Sequence, residues 1–155
     1  MSVYVDTSAF LAVLDADDEN HAAAKKVWTE LLETLTTIVC NSYVLVETYA
    51  LVQNRLGMAA VRAFHEDVLP VLQLEWLDES LHQQAANAML TANRKNLSLV
   101  DCASFATMRR LGIKKAFAFD KHFSGQGFEC LPEENGRDFD HGKSGRKCRG
   151  AGSDF

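Results

Sequence analysis

Short β-favouring runs alternate with longer helical stretches along most of this chain, and that alternation limits its fold more than any other feature. Ser2 to Val5 is the first run, Thr36 to Cys40 the second, Val71 to Leu77 the third and Lys115 to Phe119 the fourth. Phe128 to Leu131 forms a short fifth. Strands separated by helices of this length pair in parallel, because the helix serves as the crossover. Such crossovers are right-handed. The expected class is therefore α/β, with a parallel sheet covered on both faces.

The intervening segments carry helix signals. Thr7 and Ser8 are placed to cap a helix bearing Phe10, Leu11, Val13 and Leu14, which the acidic turn Asp15 to Glu19 breaks. Ala24, Val27, Trp28, Leu31, Leu32 and Leu35 then recur at helical spacing. Ser42 opens an apolar helix to about Leu56, closed by Gly57. The pattern predicts another helix over Met58 to Leu69, stopping at Pro70. Asp78 to Ser80 starts a helix running to about Asn93, and Ser98 to Asp101 opens one through Arg110, closed by Gly112. From Glu133 onward glycine and charge dominate, too little apolar surface to offset the entropy of ordering. Residues 1–132 thus read as one domain, and 133–155 as a flexible Gly- and charge-rich C-terminal tail with a basic centre at Arg137, Lys143, Arg146, Lys147 and Arg149.

At 155 residues the chain can bury a real core without staples. No apolar stretch approaches the roughly 18 residues of a membrane span, and Asp6 interrupts the only apolar run at the amino terminus. Cytoplasmic location and no membrane partner are expected. Cys40, Cys102, Cys130 and Cys148 lie far apart without C-x-x-C spacing, which speaks against a disulfide framework or a zinc site. The formal net charge of −5 counts against broad electrostatic capture of nucleic acid. Divalent ions bound at an acidic cluster would offset part of that charge.

Four carboxylates, Asp6, Glu47, Asp101 and Asp120, occupy apolar surroundings near strand ends and helix starts. In a parallel sheet those positions share one edge, the edge where ligands bind. Each has an ordinary reading when taken alone. Asp6 and Asp120 suit turns or caps, and Asp101 stands three residues after Ser98, as in a capping box. Glu47 carries the most information. Its neighbours in Val44-Leu45-Val46-Glu47-Thr48-Tyr49 prefer the interior, where a carboxylate must be protonated, paired or bound to a cation. Arg55, about two turns away, is too far to pair within the helix. Four such groups at one edge point to a metal-dependent hydrolase. Of the histidines, only His122, two residues after Asp120, is placed to approach this edge. There is no glycine-rich phosphate loop and no nucleophile elbow.

The segments Val5-Asp6-Thr7-Ser8-Ala9-Phe10, Val46-Glu47-Thr48, Ser98-Leu99-Val100-Asp101 and Phe119-Asp120-Lys121-His122-Phe123 together resemble the PIN domain family, and most of all the VapC-type ribonucleases of bacterial toxin–antitoxin pairs. The resemblance spans about residues 1–132. It implies a three-layer α/β/α sandwich with a central parallel sheet, and Mg²⁺- or Mn²⁺-dependent cleavage of RNA. By motif match Asp6, Glu47, Asp101 and Asp120 are the metal-binding and catalytic carboxylates, with Thr7 or Ser8 as adjoining hydroxyls. Ser98 would support the site, and Lys121 or His122 would steer phosphate or a leaving group. An antitoxin partner and a homodimer are implied by the same likeness. Where many relatives carry a hydroxyl residue two before the last aspartate, this chain has Ala118. Rival readings are a PIN-like fold acting only as a binding or assembly module, and a haloacid-dehalogenase-like phosphatase with Asp6 as nucleophile. The phosphatase would want an aspartate where Ser8 stands. A receiver-like domain would need an acidic pair nearer the amino terminus and gives Glu47 no role.

Overall fold

In the computed structural model, which describes residues 1–134, the apolar run Ser2–Val5 forms β1 at the centre of a parallel sheet. Thr37–Asn41 (β2) and Leu72–Glu75 (β3) lie on one side of it, and Lys115–Phe117 (β4) and Glu129–Leu131 (β5) on the other. The strand order is β3-β2-β1-β4-β5, with every neighbouring pair parallel. The chain thus winds outward from β1 in one direction, then returns to build the other half. The reversal falls between β1 and β4, where the carboxyl ends of the two strands leave a crevice.

Helices cover both faces. Val3, Tyr4 and Val5 are fully buried, and alternation along the strand sends them to opposite sides. On one side the Tyr4 hydroxyl donates to Ser104 Oγ at 2.9 Å, tying β1 to α6 (Leu99–Leu111). The Phe123 ring of the short α7 (His122–Gly125) lies near both Tyr4 and Phe105. A second aromatic cluster joins α1 (Thr7–Leu14) to α3 (Ser42–Leu56), with Phe64 edge-on to both Phe10 and Tyr49. Helices α2 (His21–Glu33), α4 (Met58–Ala63) and α5 (Glu79–Ala92) complete the layers. This is the expected α/β/α sandwich.

Local chemistry accounts for most element ends. Gly57 (φ +85°) and Gly112 (φ +68°) supply the left-handed backbone that terminates α3 and α6. Asn41 does two jobs at the β2–α3 junction. Its Oδ1 accepts from Val44 N–H at 2.9 Å as the cap of α3, and its Nδ2 donates to Thr107 Oγ1 of α6 at 3.1 Å. The side chain is wholly buried. Asn41→Ala should therefore cost about 1–3 kcal/mol, a lost cap plus an orphaned partner, read as a lower midpoint in urea with unchanged slope.

Several boundaries differ from the sequence expectation. The helix expected over Met58 to Leu69 is α-helical only to Ala63. A π-turn at Phe64–Val68 and a 3-10 turn at Leu69–Val71 follow, and Pro70 sits inside that last turn. The wider turn accompanies the burial of Phe64 and Val68 in the core. Leu35 is not part of α2; it has φ +52° and is 90% exposed. β3 and β4 are shorter than their apolar runs, because Trp76 to Leu77 and Ala118 to Phe119 already belong to connections. Helix α7 was not foreseen. Apart from Glu133 and Glu134, the tail expected over 133–155 lies outside the described residues.

Candidate metal centre

The crevice between β1 and β4 is lined by acidic side chains that the local fold holds in place. Asp6 ends β1 and caps α1: its Oδ2 accepts from Ser8 N–H at 3.1 Å and from Ser8 Oγ–H at 2.6 Å. Its own N–H continues the β1–β4 ladder to Phe117 O at 3.0 Å. Ser8 Oγ also accepts from Phe119 N–H at 3.0 Å. One hydroxyl therefore joins the start of α1, the Asp6 carboxylate and the segment leading to Asp120.

Asp101 stands at the start of α6 in a complete capping box. Ser98 N–H donates to Asp101 Oδ2 at 3.1 Å, and Asp101 N–H donates to Ser98 Oγ at 3.0 Å. The ordinary reading of this aspartate is thus correct, yet it uses only one carboxylate oxygen. Asp120 is fixed through its Oδ1, which accepts His122 N–H at 2.9 Å, with the His122 ring Nε2 3.8 Å from the same oxygen. Asp101, Asp120 and His122 present one ligand atom each within 4.8 Å of one another.

Asp6 and Glu47 stand outside that trio but respond to it. Burial, with smaller contributions from the charges of Asp101 and Asp120, pushes the Asp6 carboxyl up to about 6; its Ser8 hydrogen bonds act the other way. Glu47 is raised by burial and by the same two charges, while the Thr7 hydroxyl pulls it back. Asp101 is raised by burial and by Asp120, against the hydrogen bonds of Ser98 and the charge of His122. Among the described residues no arginine or lysine pairs with Asp6, Glu47, Asp101 or Asp120. Buried and half-buried carboxylates that repel one another, with a single imidazole beside them and no arginine or lysine partner among the described residues, fit a hard divalent ion, which favours oxygen ligands and accepts an imidazole.

A PIN domain profile matches residues 3–129, most of the chain and all four carboxylates. The chain belongs to the PIN domain family. It is 37% identical over 133 residues to the 23S rRNA-specific endonuclease VapC20 of Mycobacterium tuberculosis, in strains CDC 1551 / Oshkosh and ATCC 25618 / H37Rv. That match covers 84% of this chain and 99% of the relative. The crystal structure of M. tuberculosis VapC20, described as a sarcin-ricin loop cleaving toxin, aligns with a TM-score of 0.73 at 35% identity, over 82% of this chain and 96% of that one. FitAcB from Neisseria gonorrhoeae aligns with a TM-score of 0.61 over 83% and 95%. At 14% identity it shares the fold alone.

Within this PIN domain the sequence-derived positions fare unevenly. Glu47 is half-buried, and its neighbour Val46 is 65% exposed, so the apolar stretch around it is one helix face and not an interior segment. His122 comes nearer the carboxylates than its sequence position required. Lys121 is exposed and makes no ion pair among the described residues. Ala118, where many relatives carry a hydroxyl, is buried. Sequence reasoning missed Thr48, whose hydroxyl donates to Val44 O at 2.7 Å and lies 3.3 Å from Thr7 Oγ1. It also missed Asn41. The signal was present: Cys40-Asn41-Ser42 repeats the strand-to-cap pattern of Val5-Asp6-Thr7. Cys40 and Cys102 are buried, Cys130 is half-buried, and all three are free thiols. No described helix is long and apolar enough to cross a membrane.

Proposed function

We propose that this protein is a divalent-metal-dependent endoribonuclease and the toxin of a VapBC-type pair, with Asp6, Glu47, Asp101 and Asp120 as its catalytic carboxylates. The observation that carries this reading is the grouping of Asp101, Asp120 and His122 at the β1–β4 crevice, within the field of two further carboxylates that lack a cation partner. The likeness to VapC20 supports ribosomal RNA as the substrate class and, through its description as a toxin, an antitoxin partner.

Asp101, Asp120 and His122 would hold the Mg²⁺ or Mn²⁺ ion, with Asp6 and Glu47 contributing charge and further oxygen ligands. A divalent ion so held supplies polarisation of the scissile phosphate and a water of lowered pKa. The residues themselves provide rigidity. Ser98 fixes one oxygen of Asp101 and leaves the other available, and His122 N–H orients Asp120. The Ser8 hydroxyl keeps Asp6 aligned with the β4 exit. Ser8→Ala should lower cleavage by roughly 10- to 100-fold, the range typical for groups that orient metal ligands, measured as initial rate at saturating Mn²⁺.

The direct test is incubation of the purified protein with ribosomes and with a synthetic sarcin-ricin loop RNA in Mg²⁺ or Mn²⁺. Discrete cleavage, abolished by EDTA and restored by added metal, is expected. Intact RNA under every metal condition would remove the proposal.

A further inference from the structure

Beside the carboxylate crevice lies a cleft of about 590 Å³ between α5 and α6, with Gln126 in its lining. Its lining includes the buried Leu97, Cys102 and Phe105 and the small side chains Ala88 and Ala92 of α5 and Ala106 of α6. Its charged lining has one sign. Among the described residues Arg94, Arg109 and Arg110 line it and no acidic residue does, in a chain whose net charge is −5. Leu97 and Cys102, which flank the Ser98–Asp101 capping box, form part of its wall, so cleft and carboxylate site share the first turn of α6.

The arginines are not equivalent. Arg110 is neutralised by Asp78 at 2.9 Å. Arg94 and Arg109 have no acidic partner among the described residues. Arg109 is also held in position: its Nη2 donates to Gln126 Oε1 at 2.8 Å and its guanidinium lies 5.4 Å from the centre of the Phe128 ring. A fixed guanidinium with donors to spare suits a phosphate oxygen. From Cys102 to Arg109 is about two turns of helix, about 10 Å of rise, so Arg94 near one end and Arg109 near the other could serve two separate phosphates of one strand. A second cleft of comparable size, about 600 Å³, mixes Lys26 and Lys115 with Glu30 and Glu133 and takes in no residue of α6.

We infer that the α5–α6 cleft carries the phosphodiester backbone of the substrate RNA alongside the cleavage site, with Arg94 and Arg109 as its cationic contacts. This inference rests on the ribonuclease reading and names where its substrate runs. Two contacts on single-stranded RNA contribute a salt slope of about 1.4, from about 0.7 per phosphate. The nonspecific charge of the polymer then favours capture at this cleft despite the acidic whole.

The experiment measures binding of a fluorescein-labelled sarcin-ricin loop RNA to the full chain by anisotropy, in EDTA so that no cleavage occurs, across a salt series. Parent, Arg94→Gln, Arg109→Gln and the double variant are compared with Lys25→Gln/Lys26→Gln, which removes the same charge from α2. The double variant should bind about 10-fold more weakly, with a salt slope lower by about 1.4, while the α2 variant binds like the parent. Arg94→Gln touches only an exposed side chain, so it tests the cleft even if Arg109→Gln loosens α7. Equal affinity and slope in parent and double variant would overturn the inference, as would a parent that binds no RNA. A double variant altered only in self-association by sedimentation would also overturn it, marking the cleft as a contact between copies. Cleavage in Mn²⁺ is followed separately. A parent that binds through these arginines but never cleaves supports the cleft and sinks the nuclease reading; one that cleaves with unchanged KM in the double variant does the reverse.

Discussion

Asp101→Asn is expected to reduce RNA cleavage by at least about 10²-fold, the scale seen when one preorganised electrostatic group is lost from a site. The fall should be in kcat, since the proposed role of Asp101 is in the reaction step and the proposed RNA backbone contacts are Arg94 and Arg109. Asparagine keeps an oxygen that accepts Ser98 N–H, so the capping box and α6 survive the exchange. What it removes is the negative charge of the carboxylate beside Asp120 and His122. The variant should therefore melt close to the parent without metal, yet lose most of the stabilisation that added Mn²⁺ gives the parent. Unchanged kcat, or an undiminished Mn²⁺-dependent rise in Tm, would contradict this account of the site.

Asp6→Asn should do something less usual: inactivate the protein and stabilise its metal-free form. Burial raises the Asp6 carboxyl from 3.8 to about 6. A raised carboxyl means the folded chain holds its proton more tightly than the unfolded chain does, so ionisation opposes folding. The cost is absent below about pH 4, grows as pH rises towards 6, and is fully present above. A change of that size corresponds to about 3 kcal/mol. Asparagine never ionises and still accepts from Ser8 N–H as a helix cap. In EDTA at pH 8 the variant should melt several degrees above the parent, given about 2–4 °C per kcal/mol for a domain of this size. At pH 4 the two should converge. Saturating Mn²⁺ should raise the parent through binding to the folded state and erase much of the gap. A variant less stable than the parent at pH 8, or a gap independent of pH, would show that Asp6 is not held at a cost.

Both expected outcomes express one property of the crevice. The fold sets carboxylates against one another and against burial, and under the proposed function a divalent cation would offset that cost. Stability and activity would then pull in opposite directions at Asp6, as is common where a site is strained for function.

Much of this was legible in the residues themselves. The β-favouring runs gave the strands, because β1 and β2 are buried on both faces and so read as unbroken apolar stretches. Helix starts were legible where a side chain caps them, as Asp78 and Ser98 do; at α1 the expected caps Thr7 and Ser8 already lie inside the helix and Asp6, at the strand end, is the cap. The capping and strand-end rules also picked out Asp6, Asp101 and Asp120, since a carboxylate at those positions serves local geometry first. The π-turn at Phe64–Val68 was not legible, because it accompanies packing of Phe64 against Phe10 and Tyr49, more than fifty and about fifteen residues away. Nor was the exposure of Val46, which depends on the face α3 turns outward.

By itself the sequence determined the order of elements, the parallel class of the sheet and the chemical identity of the acidic groups, because these follow from local propensity and pattern. Tertiary structure alone decided that the strand order reverses beside β1, that Asp101 and Asp120 come within a few ångströms of His122, and that arginines from separate elements line one cleft. The reason is physical. Convergence of residues distant in the chain is set by how helices pack across the sheet, and no short stretch of sequence carries that information.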